Sequence, residues 1–132
     1  MALAQAGVGG LLCAAVNHFR PRGELPLLVS VEPEEADGLL ESIASPGGQP
    51  AASKGAQNSI MAGLNAVEAV RLFRDSGIAA GESGAAGLAG LMALCGGSRF
   101  AEVKSRLGLR ETSCVLVINT EGPLDAPATA RP

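Results

Sequence analysis

The sequence predicts an α/β protein: a partial, open, mainly parallel sheet flanked by helices. Two apolar runs of strand length, residues 25–31 and 114–118, lack a polar alternation. Such runs suit strands covered on both faces, as parallel strands between helices are. Around them apolar residues recur at helical spacing, and glycine or polar clusters mark the junctions.

Residues 1–6 are short and apolar and lead into Gly7-Val8-Gly9-Gly10. Residues 11–19 place Leu12, Ala15, Val16 and Phe19 at helical spacing, and Arg20-Pro21-Arg22-Gly23 supplies the charge, proline and glycine that end helices. His18 falls near that helix's carboxyl end, where an imidazolium suits the dipole and a surface role is expected. The first buried strand, 25–31, stops at Glu32-Pro33. A helix over 34–44 follows, with Leu39, Leu40 and Ile43 on one side and Glu34, Glu35 and Asp37 in its first turn. Residues 45–57, rich in Pro, Gly, Ala and Ser, read as a surface loop. Residues 59–75 are helical in pattern with a break at Gly63. Residues 84–95 form a small-residue helix carrying Leu88, Leu91 and Met92, and residues 99–107 form another, stopped by Gly108. The second buried strand, 114–118, ends at Asn119-Thr120-Glu121-Gly122. Residues 1–122 read as one domain, and 123–132, Ala/Pro-rich, as a flexible tail.

Composition removes several function classes. The 132 residues carry ten basic and thirteen acidic side chains, a net charge of −3, so no basic field is available for nucleic acid. Three Phe without Trp or Tyr leave no stacking platform for single strands. Ala and Gly supply 41 residues of the chain, which requires close packing of backbones. No apolar run reaches bilayer length. The start lacks a basic segment, so no signal peptide is expected and the chain reads as cytoplasmic. Cys13, Cys95 and Cys114 are odd in number and far apart, so they are expected as reduced, buried thiols, and no metal site is expected.

Three clusters carry candidate chemistry. Gly7, Val8, Gly9 and Gly10 precede a helix, where exposed N–H groups and the helix dipole suit a phosphate; the same glycines also suit a bare turn. Leu12 occupies the sixth position of a dinucleotide fingerprint, whereas Glu32 lies where a ribose-binding acid would sit. A non-catalytic phosphate-ligand or nucleotide-binding α/β module is therefore the alternative reading. Gly81-Glu82-Ser83-Gly84 opens the small-residue helix, with Ser83 as the expected N-cap and Glu82 beside the positive helix end. The small residues that follow imply close approach to something flat, a helix or a ligand ring. Asn119-Thr120-Glu121-Gly122 lies at the carboxyl end of a strand, the edge where open α/β sheets bind ligands.

Five segments in order, Gln5-Ala6-Gly7-Val8-Gly9-Gly10-Leu11, Val31-Glu32-Pro33-Glu34, Ile60-Met61-Ala62-Gly63-Leu64, Gly81-Glu82-Ser83-Gly84-Ala85 and Val117-Ile118-Asn119-Thr120-Glu121-Gly122, resemble the carboxyl-terminal part of the diaminopropionate ammonia-lyase family. These are enzymes of the tryptophan-synthase-β fold type. The resemblance implies pyridoxal 5'-phosphate as cofactor and a small amino acid as substrate: 2,3-diaminopropionate, converted to pyruvate and ammonia. It implies that Gly7, Val8, Gly9 and Gly10 hold the cofactor phosphate, that Thr120 faces the pyridine nitrogen, and that Glu82 and Ser83 lie near the ring.

The resemblance also implies what should be elsewhere. The family's Schiff-base lysine, its acidic catalytic residues and the strand before Gly7 belong to its amino-terminal half, and neither Lys54 nor Lys104 has that lysine's context. Between Leu64 and Gly81 the family carries a longer stretch. Residues 1–122 are thus expected to be a truncated portion of the lyase domain, inactive alone. Self-association or a complementary amino-terminal half is the expected partnership, with no nucleic acid and no membrane.

Overall fold

The chain was analysed as a computed structural model, which describes residues 1–7, 9–23, 26–55 and 64–123, with Leu64 and Asn65 described by their backbone. Its sheet is built on the strand that the sequence reading placed outside this chain. Ala2–Gln5 (β1) precedes the glycine loop and is the central strand of a three-stranded parallel sheet of order β2-β1-β3. Leu28–Val31 (β2) pairs with all four residues of β1, from Ala2 opposite Leu28 to Gln5 opposite Val31. Leu116–Val117 (β3) pairs with Ala2 and Leu3 on the other side. β1 is buried along its whole length, whereas β2 and β3, drawn from the two apolar runs that looked most like interior strands, form the edges among the described residues, β2 half-buried and β3 with Leu116 exposed. The reason is steric. A central strand that a glycine-rich helix crosses closely needs short side chains, and the Ala2-Leu3-Ala4 sequence supplies them.

The first helix, α1 (Gly10–Phe19), follows the glycine loop, and a 3-10 turn over Arg20–Arg22 closes it as its charge and proline predict. The second, α2 (Gly38–Ala44), is shorter than expected, because residues 33–36 form a turn with Ala36 N–H donating to the Pro33 carbonyl. Its start is fixed by Glu32, whose two carboxylate oxygens accept from the N–H groups of Leu39 and Leu40 at 2.9 and 3.0 Å. Glu32→Ala is therefore expected to lower stability by about 1 kcal/mol, read by thermal unfolding, since two N-terminal donors lose their acceptor.

Helix α3 (Leu64–Asp75) is described from Leu64; the break expected at Gly63 and the segment Ile60-Met61-Ala62-Gly63 lie outside the described residues. α4 (Glu82–Cys95) begins two residues earlier than its apolar pattern suggests, and α5 (Ala101–Arg106) ends before Gly108, which takes φ +63°. The tail beyond Pro123 also lies outside the described residues.

α4 answers what its small residues face. Gly84, Gly87 and Gly90 recur every third residue and meet the sheet in turn. A Cβ on Gly84 would stand 2.7 Å from the Glu121 carbonyl oxygen and collide with Asn119 Oδ1. One on Gly87 would stand 3.3 Å from Val117 Cγ1 and 3.4 Å from the Leu3 oxygen, and one on Gly90 would stand 2.9 Å from Val31 Cγ1. The helix thus crosses from the β3 side over β1 to β2 at backbone distance, and the flat partner is the sheet. Against α4 packs α3, with Ala69, Ala80 and Ala85 at the centre and Val70, Phe73, Leu88 and Met92 around them.

Alanine dominates the interior. Among the described residues, the buried apolar side chains are nine alanines with Leu3 and Leu94, while Leu27, Leu40, Ile43 and Leu116 are 48–69% exposed. An alanine core removes little apolar surface per residue, so stability is expected to be marginal. The three cysteines, expected in the interior, are all exposed because the alanines fill the close contacts instead. No helix among the described residues is long and apolar enough to cross a membrane.

Candidate cofactor site at the carboxyl edge of the sheet

The carboxyl ends of the three parallel strands bring the glycine loop, the start of α4 and residues 119–122 to one edge. β1 ends at Gln5 and passes into the loop, where Gly9 is the N-cap of α1 at φ +85°. A residue with a side chain is strained at that angle, so glycine is favoured there. The N–H of Cys13 already donates to the Gly9 carbonyl at 2.9 Å, and no side chain caps the first turn. A Cβ placed on Gly7, Gly9 or Gly10 would meet nothing within 4 Å. Open space above uncapped N–H groups at a positive helix end fits a phosphate group. Val8 lies outside the described residues.

Residues 119–122 are tied to the start of α4 by two bonds. The Gly81 N–H donates to the Glu121 carbonyl at 3.0 Å, and Asn119 Nδ2 donates to the Ala79 carbonyl at 2.9 Å. The close approach of Gly84 completes this junction. Gly81, in extended conformation, is the N-cap of α4, so Ser83 is not the cap the sequence reading made it. Ser83 instead lies one residue into the helix, half-buried, with exposed Glu82 in the first turn as expected.

The glycine loop and residue 120 are linked by Gln5. Its carboxamide Nε2 donates to Thr120 Oγ1 at 2.6 Å, although the two are 115 residues apart in sequence. Thr120 is exposed at the sheet edge, and Gln5, 8% exposed, is the buried polar residue among the described residues. Gln5 Oε1 has no hydrogen-bond partner among the described residues. Leaving such an atom unmatched costs about 1–3 kcal/mol. The sequence alone assigns Gln5 no role; its one signal is a polar residue in an otherwise apolar stretch directly before the glycines.

Neither lysine is part of this edge. Lys54 pairs with Glu41 of α2 on the surface, and the hydrogen bond to that carboxylate, with its charge, raises the ammonium pKa. A lysine that attacks a carbonyl needs the opposite shift. Lys104 belongs to α5, in the last turn with Arg106. Glu32, the candidate ribose acid, is engaged by α2 and lines a cavity of about 360 Å³ with Ser30, Pro33, Asp37, Leu39 and Ile43. With its carboxylate committed to two helix N–H groups, the dinucleotide reading loses its one supporting acid. Among the described residues no group of His, Cys, Asp and Glu is placed to hold a metal.

Comparison with known protein families gives no matching family model. The chain is similar to diaminopropionate ammonia-lyase of Salmonella typhimurium, 28% identical over 152 residues, a span that takes in 89% of this chain and 38% of that enzyme. The chain therefore matches well under half the length of its curated relative. The aligned span exceeds the 132 residues of the chain, so the relative carries residues within it that are missing here. By this similarity the chain is a distant relative of a diaminopropionate ammonia-lyase.

Proposed function

We propose that this chain holds pyridoxal 5'-phosphate for an ammonia-lyase reaction on 2,3-diaminopropionate, with the cofactor-bearing lysine supplied from outside these residues. The observation that carries the proposal is the junction at the sheet edge, where the open glycine loop, the start of α4 and Thr120 are joined through Gln5 and Gly81. The N–H groups at the start of α1 bind the phosphate, helped by the positive end of the helix. Thr120 donates its hydroxyl hydrogen to the pyridine nitrogen, a neutral partner that leaves the ring unprotonated. Glu82 and Ser83 border the ring from the start of α4. When bound, the cofactor supplies the electron sink for the charge left by the departing α-proton. The overall conversion consumes one water and gives one pyruvate and two ammonia molecules.

The lysine arrangement favours a chain that binds without turning over. Incubation with 2,3-diaminopropionate and cofactor is expected to give no pyruvate. Borohydride treatment with the cofactor, followed by mass spectrometry, is expected to leave no stoichiometric adduct on Lys54 or Lys104. A stoichiometric adduct on either would overturn the assignment of the lysine elsewhere.

Binding itself is tested by thermal unfolding followed by circular dichroism. At about a hundredfold over Kd, pyridoxal 5'-phosphate should raise stability by roughly 2.7 kcal/mol. An unfolding transition that does not respond to the cofactor rejects the proposal. The exposed Leu116 on β3, the exposed Leu27 beside β2 and the exposed Leu40 and Ile43 further support association, with a second copy or with a chain bearing the lysine half. Sedimentation equilibrium showing only the monomer mass at high concentration would exclude self-association.

A further inference from the structure

We infer that Gln5 is a positioning residue that sets the direction of the Thr120 hydroxyl hydrogen and thereby the protonation of the cofactor ring. The inference rests on the proposed function above and adds to it a residue whose part is to orient another. Gln5 ends the central strand, where the other buried residues among those described are alanines, glycines and two leucines. A structural residue there would be apolar, like its neighbours Ala4 and Ala6, or would have all its polar atoms matched. Gln5 does neither. It makes one side-chain hydrogen bond, to Thr120, and leaves Oε1 without a partner among the described residues.

The polarity of that bond matters. A hydroxyl has one hydrogen and accepts through two lone pairs. With Gln5 Nε2 donating into Thr120 Oγ1, the hydroxyl hydrogen is not drawn toward the interior and is free to point outward from the sheet edge. An outward hydrogen meets a ring nitrogen only if that nitrogen is unprotonated. A carboxylate at position 5 reverses the bond: Thr120 then donates inward and presents a lone pair outward, which favours a protonated ring. The glycine loop, reached from the other end of the ligand, is unaffected by this reversal.

The test uses the whole chain and pyridoxine 5'-phosphate, which lacks the aldehyde and so cannot attach to any amine. The ring's protonation is followed by its absorbance across pH while bound, with inorganic phosphate as a separate ligand for the loop. Gln5→Glu should raise the pH at which the bound ring gains its proton by about one unit, and Gln5→Met, which packs similarly without donating, should raise it by less. Both variants should bind inorganic phosphate as the unaltered chain does, whereas affinity for neutral-ring pyridoxine 5'-phosphate should fall about tenfold. Thr120→Val should remove the difference between Gln5 and its variants. Pyridoxine 5'-phosphate binding with the same ring protonation in all three chains overturns the role of Gln5 and leaves the phosphate loop standing. Failure of the unaltered chain to bind either ligand overturns both the cofactor reading and this one.

Discussion

Gly84→Ala is expected to lower the unfolding temperature by roughly 6–10 °C, corresponding to about 2 kcal/mol. One methyl group has this effect because of where it lands. It would come within 2.9 Å of the Glu121 nitrogen, 2.7 Å of the Glu121 oxygen and closer still to Asn119 Oδ1, and two of these three atoms are backbone. Backbone cannot move aside as a flexible side-chain end can, so residues 119–122 must lift away from α4. Lifting them also breaks the bond from Gly81 to Glu121 and displaces Thr120. The same variant is therefore expected to lose cofactor-induced stabilisation along with its own stability. Gly10→Ala is the control: the added carbon meets nothing within 4 Å at a helical position, and stability should change by less than about 0.5 kcal/mol. Calorimetry on the two variants separates crowding from a general intolerance of alanine. Equal transition temperatures would mean that the α4 contact is not as close as described.

The second large effect is on binding and not on folding. Gly9→Asp should weaken the affinity for inorganic phosphate and for pyridoxal 5'-phosphate by about a hundredfold, the size expected for like charges a few ångströms apart in a partly exposed site. The carboxylate would stand at the N-cap of α1, where it accepts from the N–H groups that a phosphate would otherwise engage. Two effects on stability oppose each other. The left-handed conformation at φ +85° costs about 1 kcal/mol for a residue other than glycine, and a new N-cap returns a similar amount. The transition temperature without ligand should therefore hardly move. Gly9→Ala bears the backbone strain without the charge, so it should lose stability and keep more of its affinity. Isothermal titration of both variants decides the matter, and full phosphate affinity in Gly9→Asp would exclude the loop as the anion site.

Much of the organisation was legible in the sequence because it is local. Helix periodicity located α1, α4 and α5 to within two residues, and Arg20-Pro21-Arg22-Gly23 marked a real stop. Glycine and polar clusters marked the sheet edge that carries the candidate site, since turns and uncapped helix starts need those residues regardless of what surrounds them. The errors share one cause: burial is not a local property. Residues 25–31 and 114–118 looked like interior strands from their apolar length, yet the strands within them, β2 and β3, are edges among the described residues, and the short Ala2–Gln5 strand is the centre. An alanine strand gives almost no hydrophobic signal of its own. It lies at the centre beneath α4, which presents Gly87 to Leu3, and that contact joins residues more than eighty positions apart.

The candidate site divides in the same way. The sequence by itself determined the glycine loop, the Glu82 helix start and the Thr120 segment, because each is a run of residues with its own chemistry. Only the tertiary structure decided that Glu32 caps α2, that Gly81 and not Ser83 caps α4, and that Lys54 is held by Glu41. It alone drew Gln5 and Thr120 together across 115 residues. A hydrogen bond depends on distances of a few tenths of an ångström, and those are set by how closely a helix of small residues lies on a sheet of small residues.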